Sequence, residues 1–506
     1  MGNFNEIVLI AILGVPLFTG GTLIFFPRNK IGAIRAFAFF GSLLTCLLSL
    51  YVFVTYDYHA GGYQFAGSVI WLMEPLNINF SFGIDGISAP MILLTGIVML
   101  AGTIMSWNIK YRTKDFFVLF MFLVAGVVGT FSVRDIFFLF FFYELAVLPM
   151  FPLIAVWGNT TDFGSFLRTK EYSAMKLTLY LVAGSALVWI GIIALFIETT
   201  NVGSGTFSIE TLSQMSEDGV FSQKFQLIFF PFFMIGFGVL AGLWPFHTWS
   251  PDGHVAAPTA VSMIHAGVLM KLGAYGIIRI GMTILPDGAS GWMPLLMGLG
   301  TVNVLYGAVS AMGQRDLKYV IGYSSVSHMG LVLMGLATLN PIGVTGAVLQ
   351  MFSHGIMTAL FFAVVGMIYE RTHTRDITML GGLAHKMTFT VILFAVAGLT
   401  SLGLPGLSGF VAEILIFVGV FKTAAPLAVL AVIGAAITAV YVLRLLAKAF
   451  FGPIDSKWEN LTDGEPRELI TNGLLAGIIL FVGLWPMPFM NVINSGVAEL
   501  LTRYAI

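Results

Sequence analysis

Apolar residues come in long, nearly unbroken runs along this chain, and polar residues are confined to the short stretches between them. The runs fall at 7–26, 36–55, 87–107, 116–132, 136–157, 173–197, 226–250, 258–283, 291–311, 318–338, 342–369, 388–421, 426–451 and 469–490. Each is of a length that crosses a bilayer as a helix. The pattern therefore predicts an all-α polytopic membrane protein with about fourteen transmembrane helices. Two runs are interrupted, the seventh at Pro245 and the twelfth at the Gly-Leu-Pro-Gly-Leu-Ser-Gly stretch around Pro405. Proline removes a backbone bond, and in lipid the freed carbonyl must find a partner in protein or trapped water. The interruptions lie five helices apart, the odd offset that an inverted repeat produces. This divides the chain into an N-terminal three-helix segment (1–114), two inverted five-helix repeats (115–283 and 284–452) with helices 7 and 12 broken, and a C-terminal loop and helix (453–506).

Loop charges set an orientation. Loops after odd-numbered runs hold Arg28, Lys30 and Arg35; Lys110, Arg112 and Lys114; Arg168 and Lys170; Arg315 and Lys318; Arg371, Arg375 and Lys386; and Lys448, Lys457 and Arg467. Loops after even-numbered runs hold Asp57, Glu74 and Asp85, then Glu198, Glu210, Glu217 and Asp218, and no charge around Asn340. By the positive-inside rule the odd loops face the cytoplasm and both termini face outward. With 506 residues, 58% of them apolar and 10% charged, the spans leave no room for a soluble domain of ordinary size. A single cysteine, Cys46, excludes an internal disulfide, and a net charge of −1 gives nothing for a nucleic acid to bind. The first run has no basic lead and no small-residue cleavage pattern, so it is read as a retained helix. No glycine-rich phosphate loop and no metal-spaced cluster of histidines or cysteines is present, so the chain is expected to carry no redox chemistry of its own.

The informative departures from apolarity are titratable groups inside the runs, which cost roughly 2.5–3.5 kcal/mol or more at the bilayer centre. Around the first interruption, PFHTWSPDGHVAAP supplies Pro245, Pro251, Pro258, His247, His254 and Asp252, and the next run contains His265 and Lys271. Prolines by themselves only kink or end helices; a broken helix beside buried titratable groups is how transporters build a midplane ion site. His254 and His265, eleven residues apart, share a face if the helix is continuous, with Lys271 about 9 Å further along the axis. Glu144 stands alone in FFLFFFYELAVLPMFP, and Lys176 near the start of the sixth run is expected to pair with it. In the tenth run Ser324 and His328 face one way, with Lys318 at its start. In the eleventh, Gln350, His354 and Thr358 form a polar stripe, a pattern that also serves helix packing alone. Glu413 follows the second interruption. Arg444 and Lys448 lie near a helix end, where Lys448 can snorkel to the surface.

The strings PFHTWSPDGHVAAPTAVSMIHAGVLMKLGAYG, RDLKYVIGYSSVSHMG and LTSLGLPGLSGFVAE resemble the antiporter-like subunits of respiratory NADH:quinone oxidoreductase, complex I, and among these subunit M. The family's forms are PFHTWLPDAH, AGVLLKxGxYG, DLKxxIAYSSVSHMG and PGLSGFVGE. The resemblance implies a proton-translocating module in a bacterial inner membrane, driven by quinone reduction in other subunits. NADH, FMN, iron–sulfur clusters and quinone then belong to partner subunits, with sister subunits L and N on either side. It implies functional roles for Glu144, Lys176, Lys271, His328 and Glu413; the glutamate at 413 matches subunit M, where L and N carry lysine. The chain departs from the pattern at Leu240, where the family has a lysine, and at His265, where subunit M usually has leucine. The expected relay therefore runs from Glu144 and Lys176 through His265 to Lys271, then through His328 and His354 to Glu413. His247, His254 and Lys318 are further candidates. The chain is expected to lack the long lateral helix of subunit L. A subunit of a multisubunit cation/proton antiporter or of a membrane-bound hydrogenase shares these features, and Leu240 leaves room for a non-pumping structural relative.

Overall fold

The structure is a computed structural model that describes residues 2–73, 76–162, 167–203 and 205–504; Glu74, counted above among the outward acidic charges, lies outside them. Eleven spans come first: Asn5–Phe25, Ile31–Thr55, Ser88–Met105, Thr113–Ser132, Ile136–Trp157, Lys170–Val202, Gln223–Ala256, Thr259–Met282, Pro286–Met312, Leu317–Ala337 and Pro341–Thr372. Thr388–Ser401 and the first part of Ser408–Ala449 make span 12, and the rest of that helix makes span 13. The two parts separate at Ala424, whose backbone is non-helical (φ −150°, ψ 78°) just before Pro426. Pro466–Leu484 is span 14.

The ends of these helices follow from their capping residues. Asp135 accepts hydrogen bonds from the amides of Phe137 (2.9 Å) and Phe138 (3.2 Å) to open span 5. Asp316 does the same for span 10 with Lys318 (2.7 Å) and Tyr319 (3.3 Å). An Arg-Asp pair thus starts spans 5 and 10 alike, five helices apart. Asn340 caps span 11 by accepting from Gly343 at 2.8 Å, with Pro341 in the first turn, where its missing N–H costs nothing.

Several elements fall outside the predicted runs. An antiparallel hairpin, Gln64–Leu72 with Ile78–Ile84, lies between spans 2 and 3, a two-residue ladder pairs Thr161–Asp162 with Leu167–Arg168 after span 5, and a short helix, Ile209–Glu217, precedes span 7. Span 14 ends at Leu484 and not near residue 490, because Pro486 starts a separate helix, Met487–Leu501. This helix packs back on the bundle: Phe489 meets Phe53 and Phe352, with ring centroids 4.6 and 4.5 Å apart. Gly86 faces it so closely that a Cβ would lie 2.1 Å from Val492 O.

Burial is graded across the bundle. The central windows of spans 8 and 11 are wholly enclosed and that of span 10 nearly so, whereas span 6 and the long Ser408–Ala449 helix bury only a minority of theirs. Lipid is as apolar as leucine and gives helices no hydrophobic reason to associate, so small residues and interhelical hydrogen bonds do that work. Spans 8 and 11, the most enclosed, are also the ones that carry His265, Lys271 and His354.

Candidate proton-transfer site

The first break is held by named partners. Span 7 stops at Ala241 with Gly242 in the left-handed region (φ 79°) and resumes as the half-helix Trp249–Ala256. Asn303 of span 9 bridges the gap: its Oδ1 accepts from Trp244 N (2.6 Å) and its Nδ2 donates to Gly242 O (2.8 Å). At the other end the half-helix exposes its last carbonyls inside protein, where each needs a donor. His254 O accepts from Ser262 Oγ (2.8 Å), Val255 O from Arg375 Nη1 (3.1 Å), Ala256 O from Asn159 N (2.7 Å) and Ala257 O from Lys318 Nζ (2.7 Å). Two of the four donors are cations, the charge favoured at a helix C-terminus. Lys318, expected at the cytoplasmic start of span 10 and as a further proton-path candidate, is buried against this break.

Spans 7 and 8 are not continuous: Ala257 is extended and Pro258 follows it. His254 and His265 therefore do not share one helix face. They meet across the turn, with ring centroids 4.0 Å apart, and Trp249 stacks on His265 at 5.2 Å. None of their four ring nitrogens has a protein partner, nor do those of His247, whose ring edge meets Tyr306. Gly253 makes the approach possible, since a Cβ there would lie 3.1 Å from His265 Cε1.

The expected Glu144–Lys176 pair is not formed. Lys176 Nζ instead donates to Asp252 Oδ2 at 2.8 Å; Arg168 reaches the same oxygen at 3.2 Å, and Tyr319 donates to Oδ1 at 2.9 Å. The reason is depth. Glu144 sits eight residues into span 5 and Lys176 six residues into span 6, counted from opposite ends of antiparallel helices. At 1.5 Å per residue this leaves them roughly 12 Å apart along the membrane normal. Ser185, nine residues beyond Lys176, is at the right depth and supplies Glu144 with a hydroxyl, while Glu144 Oε1 has no hydrogen-bond partner.

Beyond His265 the helix is wound in a π-turn over His265–Leu269, as at many functional sites. Lys271 Nζ donates to Ala266 O and lies 2.7 Å from His354 Nδ1 of span 11. The His354 and His328 rings are 5.3 Å apart. His328 Nδ1 is 3.3 Å from Glu413 Oε1, and its Nε2 is 2.9 Å from Ser401 Oγ. Gly403 (φ 72°) and Gly406 (φ 92°) shape the break between Ser401 and Ser408. A Cβ at residue 403 would be 2.7 Å from Glu413 Oε2, so the glycine makes room for the carboxylate. Lys271 pairs with His354 and His328 with Glu413, and the two pairs face each other through imidazole rings that share no direct hydrogen bond, His354 Nε2 having no protein partner. Lys176 joins Asp252, Glu144 joins Ser185, and His247 stands apart.

A buried ion pair lies outside the residues predicted above. Arg279, near the end of span 8, bonds Asp85 just before span 3 and lies over the rings of Tyr275 (5.0 Å) and Tyr63 (5.6 Å). The available signal was a second cation in the run that carries Lys271. Burial pushes the Asp85 carboxyl up, but the Arg279 guanidinium and Ser88 outweigh it and hold the group below the usual carboxylate range. Asp135 has no such cation. Burial drives it up to about 7 against the pull of the backbone amides it caps.

Comparison with known proteins identifies the family and the fold. Residues 133–438 match the family described as NADH:quinone oxidoreductase/Mrp antiporter, TM. NAD(P)H-quinone oxidoreductase chain 4 of Acaryochloris marina is 35% identical over 486 residues, covering 94% of this chain and 88% of that one. Chain 4 1 of Thermosynechococcus vestitus is 33% identical over 506 residues, covering 98% and 92%. Among solved structures, a chain of respiratory complex I from Thermus thermophilus with bound NADH superposes with a TM-score of 0.85 at 26% identity, covering 98% of this chain and 99% of that one. A chain of the Mrp complex from Dietzia sp. DQ12-45-1b gives 0.83 at 19% identity, covering 99% and 98%, a likeness of fold.

Proposed function

Because this chain belongs to the NADH:quinone oxidoreductase/Mrp antiporter family of membrane subunits, we propose that it is the antiporter-like subunit M, chain 4, of a NAD(P)H-quinone oxidoreductase and moves protons through a line of buried side chains. The driving energy comes from quinone reduction elsewhere in the complex. NADH, FMN, iron–sulfur clusters and quinone belong to partner subunits, and this chain has no redox centre. Sister subunits L and N flank it in a bacterial inner membrane. The basic loops face the cytoplasm and both termini face outward, a reading supported by the loop charges. The repeats span 115–283 and 284–452, a division supported by the matching Arg-Asp starts of spans 5 and 10.

The observation that carries this reading is the Lys271–His354 pair facing the His328–Glu413 pair, with Lys271, His354 and His328 on the three most enclosed helices and Glu413 itself buried. Glu144 and the Lys176–Asp252 pair load the path. The facing imidazoles of His254 and His265 then hold or pass a proton, since their ring nitrogens are committed to no protein group. Lys271 hands it to His354, and His328 to Glu413. Leu240 binds no proton, and His265 takes over part of the work of the family lysine. Lys318 and Arg375 hold the half-helix that positions His254. The test is Glu144→Gln in the assembled complex. Coupled quinone reduction should be nearly abolished while assembly survives, and near-normal proton pumping by the variant would remove Glu144 from the path.

A further inference from the structure

A second set of contacts reaches Glu413 from a different direction. On the side of the basic loops, a cavity of about 180 Å³ opens between the end of span 9, the start of span 10, the loop after span 11 and the end of span 13. It is large enough to hold several waters. Arg315, Arg444 and Lys448 stand at its rim, Val320 and Thr378 line it, and no acidic residue does. Tyr441 lines it as well, and is itself buried in the bundle. Its hydroxyl donates to Ser324 Oγ at 2.7 Å and also contacts Ser401. Ser324 and Ser401 are 3.4 Å apart, and Ser401 is 2.9 Å from His328 Nε2. The other nitrogen of that ring faces Glu413 Oε1 at 3.3 Å.

From this geometry we propose that the cavity is a second, separate inlet for protons from the basic-loop side, with Tyr441 as its relay residue. It delivers to His328 and Glu413 without passing through Lys176, His265 or Lys271. The step balances as a hydroxyl relay. A proton from cavity water arrives on Tyr441 as its own hydroxyl proton passes to Ser324 or Ser401. Ser401 passes one proton to His328 Nε2, and His328 Nδ1 gives one to Glu413. Each hydroxyl and the His328 ring gain one proton as they lose one, so within the protein only Glu413 changes charge, and the hydronium that supplied the proton is left as water. The three cations at the rim repel metal cations, whereas a proton travels between hydrogen-bonded oxygens and needs no ion to enter whole.

The inference rests on Glu413 belonging to the transport path, so the experiment separates the two claims. In the assembled complex, in vesicles with the cytoplasmic face outward, coupled quinone reduction and proton transport are measured for Tyr441→Phe and for Glu413→Gln. Tyr441→Phe keeps the ring and its packing and removes only the hydroxyl. In a Cys46→Ser background, Val320→Cys is treated with a membrane-impermeant thiol reagent from the outer face of the vesicle, and labelling of this chain is read by mass. Val320 lies one turn before Ser324 on span 10, so labelling reports water at the face that carries the relay. The inlet predicts at least a threefold loss of proton transport in Tyr441→Phe, together with labelling of Val320→Cys. Normal transport in Tyr441→Phe, or no labelling, overturns the inlet if Glu413→Gln is impaired. Normal transport in Glu413→Gln overturns the underlying path and the inlet with it.

Discussion

Lys318 separates anchoring from proton carriage. Its ammonium, 3% exposed, donates to Ala257 O at 2.7 Å and approaches Ser262 Oγ at 3.4 Å. Lys318→Met removes the charged donor and leaves that carbonyl to the Ser262 hydroxyl, 3.2 Å away. A hydrogen bond to a charged group contributes about 1.5–3 kcal/mol net. With Ser262 retained, about 2 kcal/mol is lost, which is roughly a 30-fold drop in occupancy of the anchored half-helix. His254 and Asp252 ride on that half-helix, so coupled quinone reduction should fall at least tenfold. The assay is quinone reduction in membrane vesicles, with assembly checked on native gels. Lys318→Arg supplies the decisive comparison. Arginine keeps a charged donor but does not release its proton. Anchoring predicts that Lys318→Arg retains most of the activity. If it is as slow as Lys318→Met in fully assembled complex, Lys318 works by giving up its proton and the anchoring argument is wrong.

Three other predictions follow from the same contacts. His265→Leu should slow proton transport and Leu240→Lys should restore part of the loss; normal transport in His265→Leu would make His265 a packing residue. Arg279→Met should destabilise the detergent-solubilised protein by about 3–5 kcal/mol, because it strands a buried Asp85, and adding Asp85→Asn should recover much of that; equal losses in the single and double variants would mean that the pair contributes little. Asp135, raised by burial to about 7 from 3.8, contributes stability that is complete below 3.8 and is lost as pH climbs through 7. Asp135→Asn should therefore gain thermal stability relative to the unaltered protein between pH 4 and 7 and level off above, whereas a constant difference would show that Asp135 stays ionised throughout.

Spans and breaks were legible in the sequence because each rests on local chemistry: run length for the spans, and Pro245 and the Gly-Leu-Pro-Gly stretch for the breaks. The second half of the site was legible too, since His328, His354 and Glu413 stand out as polar residues in apolar helices. The partners of those residues were not. Lys176 finds Asp252 and not Glu144 because depth along antiparallel helices decides the pairing, and that depends on where each helix starts in the membrane. Arg279 and Asp85 are 194 residues apart and carry no local sign of each other. Gln64–Leu72 is a strand in a chain whose apolar residues otherwise signal helices, and Pro486 hid a helix end inside one apolar run. Tyr441 and Ser401 carry no charge to mark them in the sequence, although Ser401 bonds His328 and Tyr441 bonds Ser324 beside it.

Protons are proposed to cross this subunit through Lys271 and His354, which join span 8 to span 11. The most direct measurement is the number of protons translocated per quinone reduced in sealed vesicles, for the unaltered complex and for Lys271→Met. Methionine fills a similar volume and carries no proton. Lys271→Met should assemble, reduce quinone slowly and translocate fewer protons for each quinone it reduces. An unchanged ratio at an unchanged rate would contradict this route.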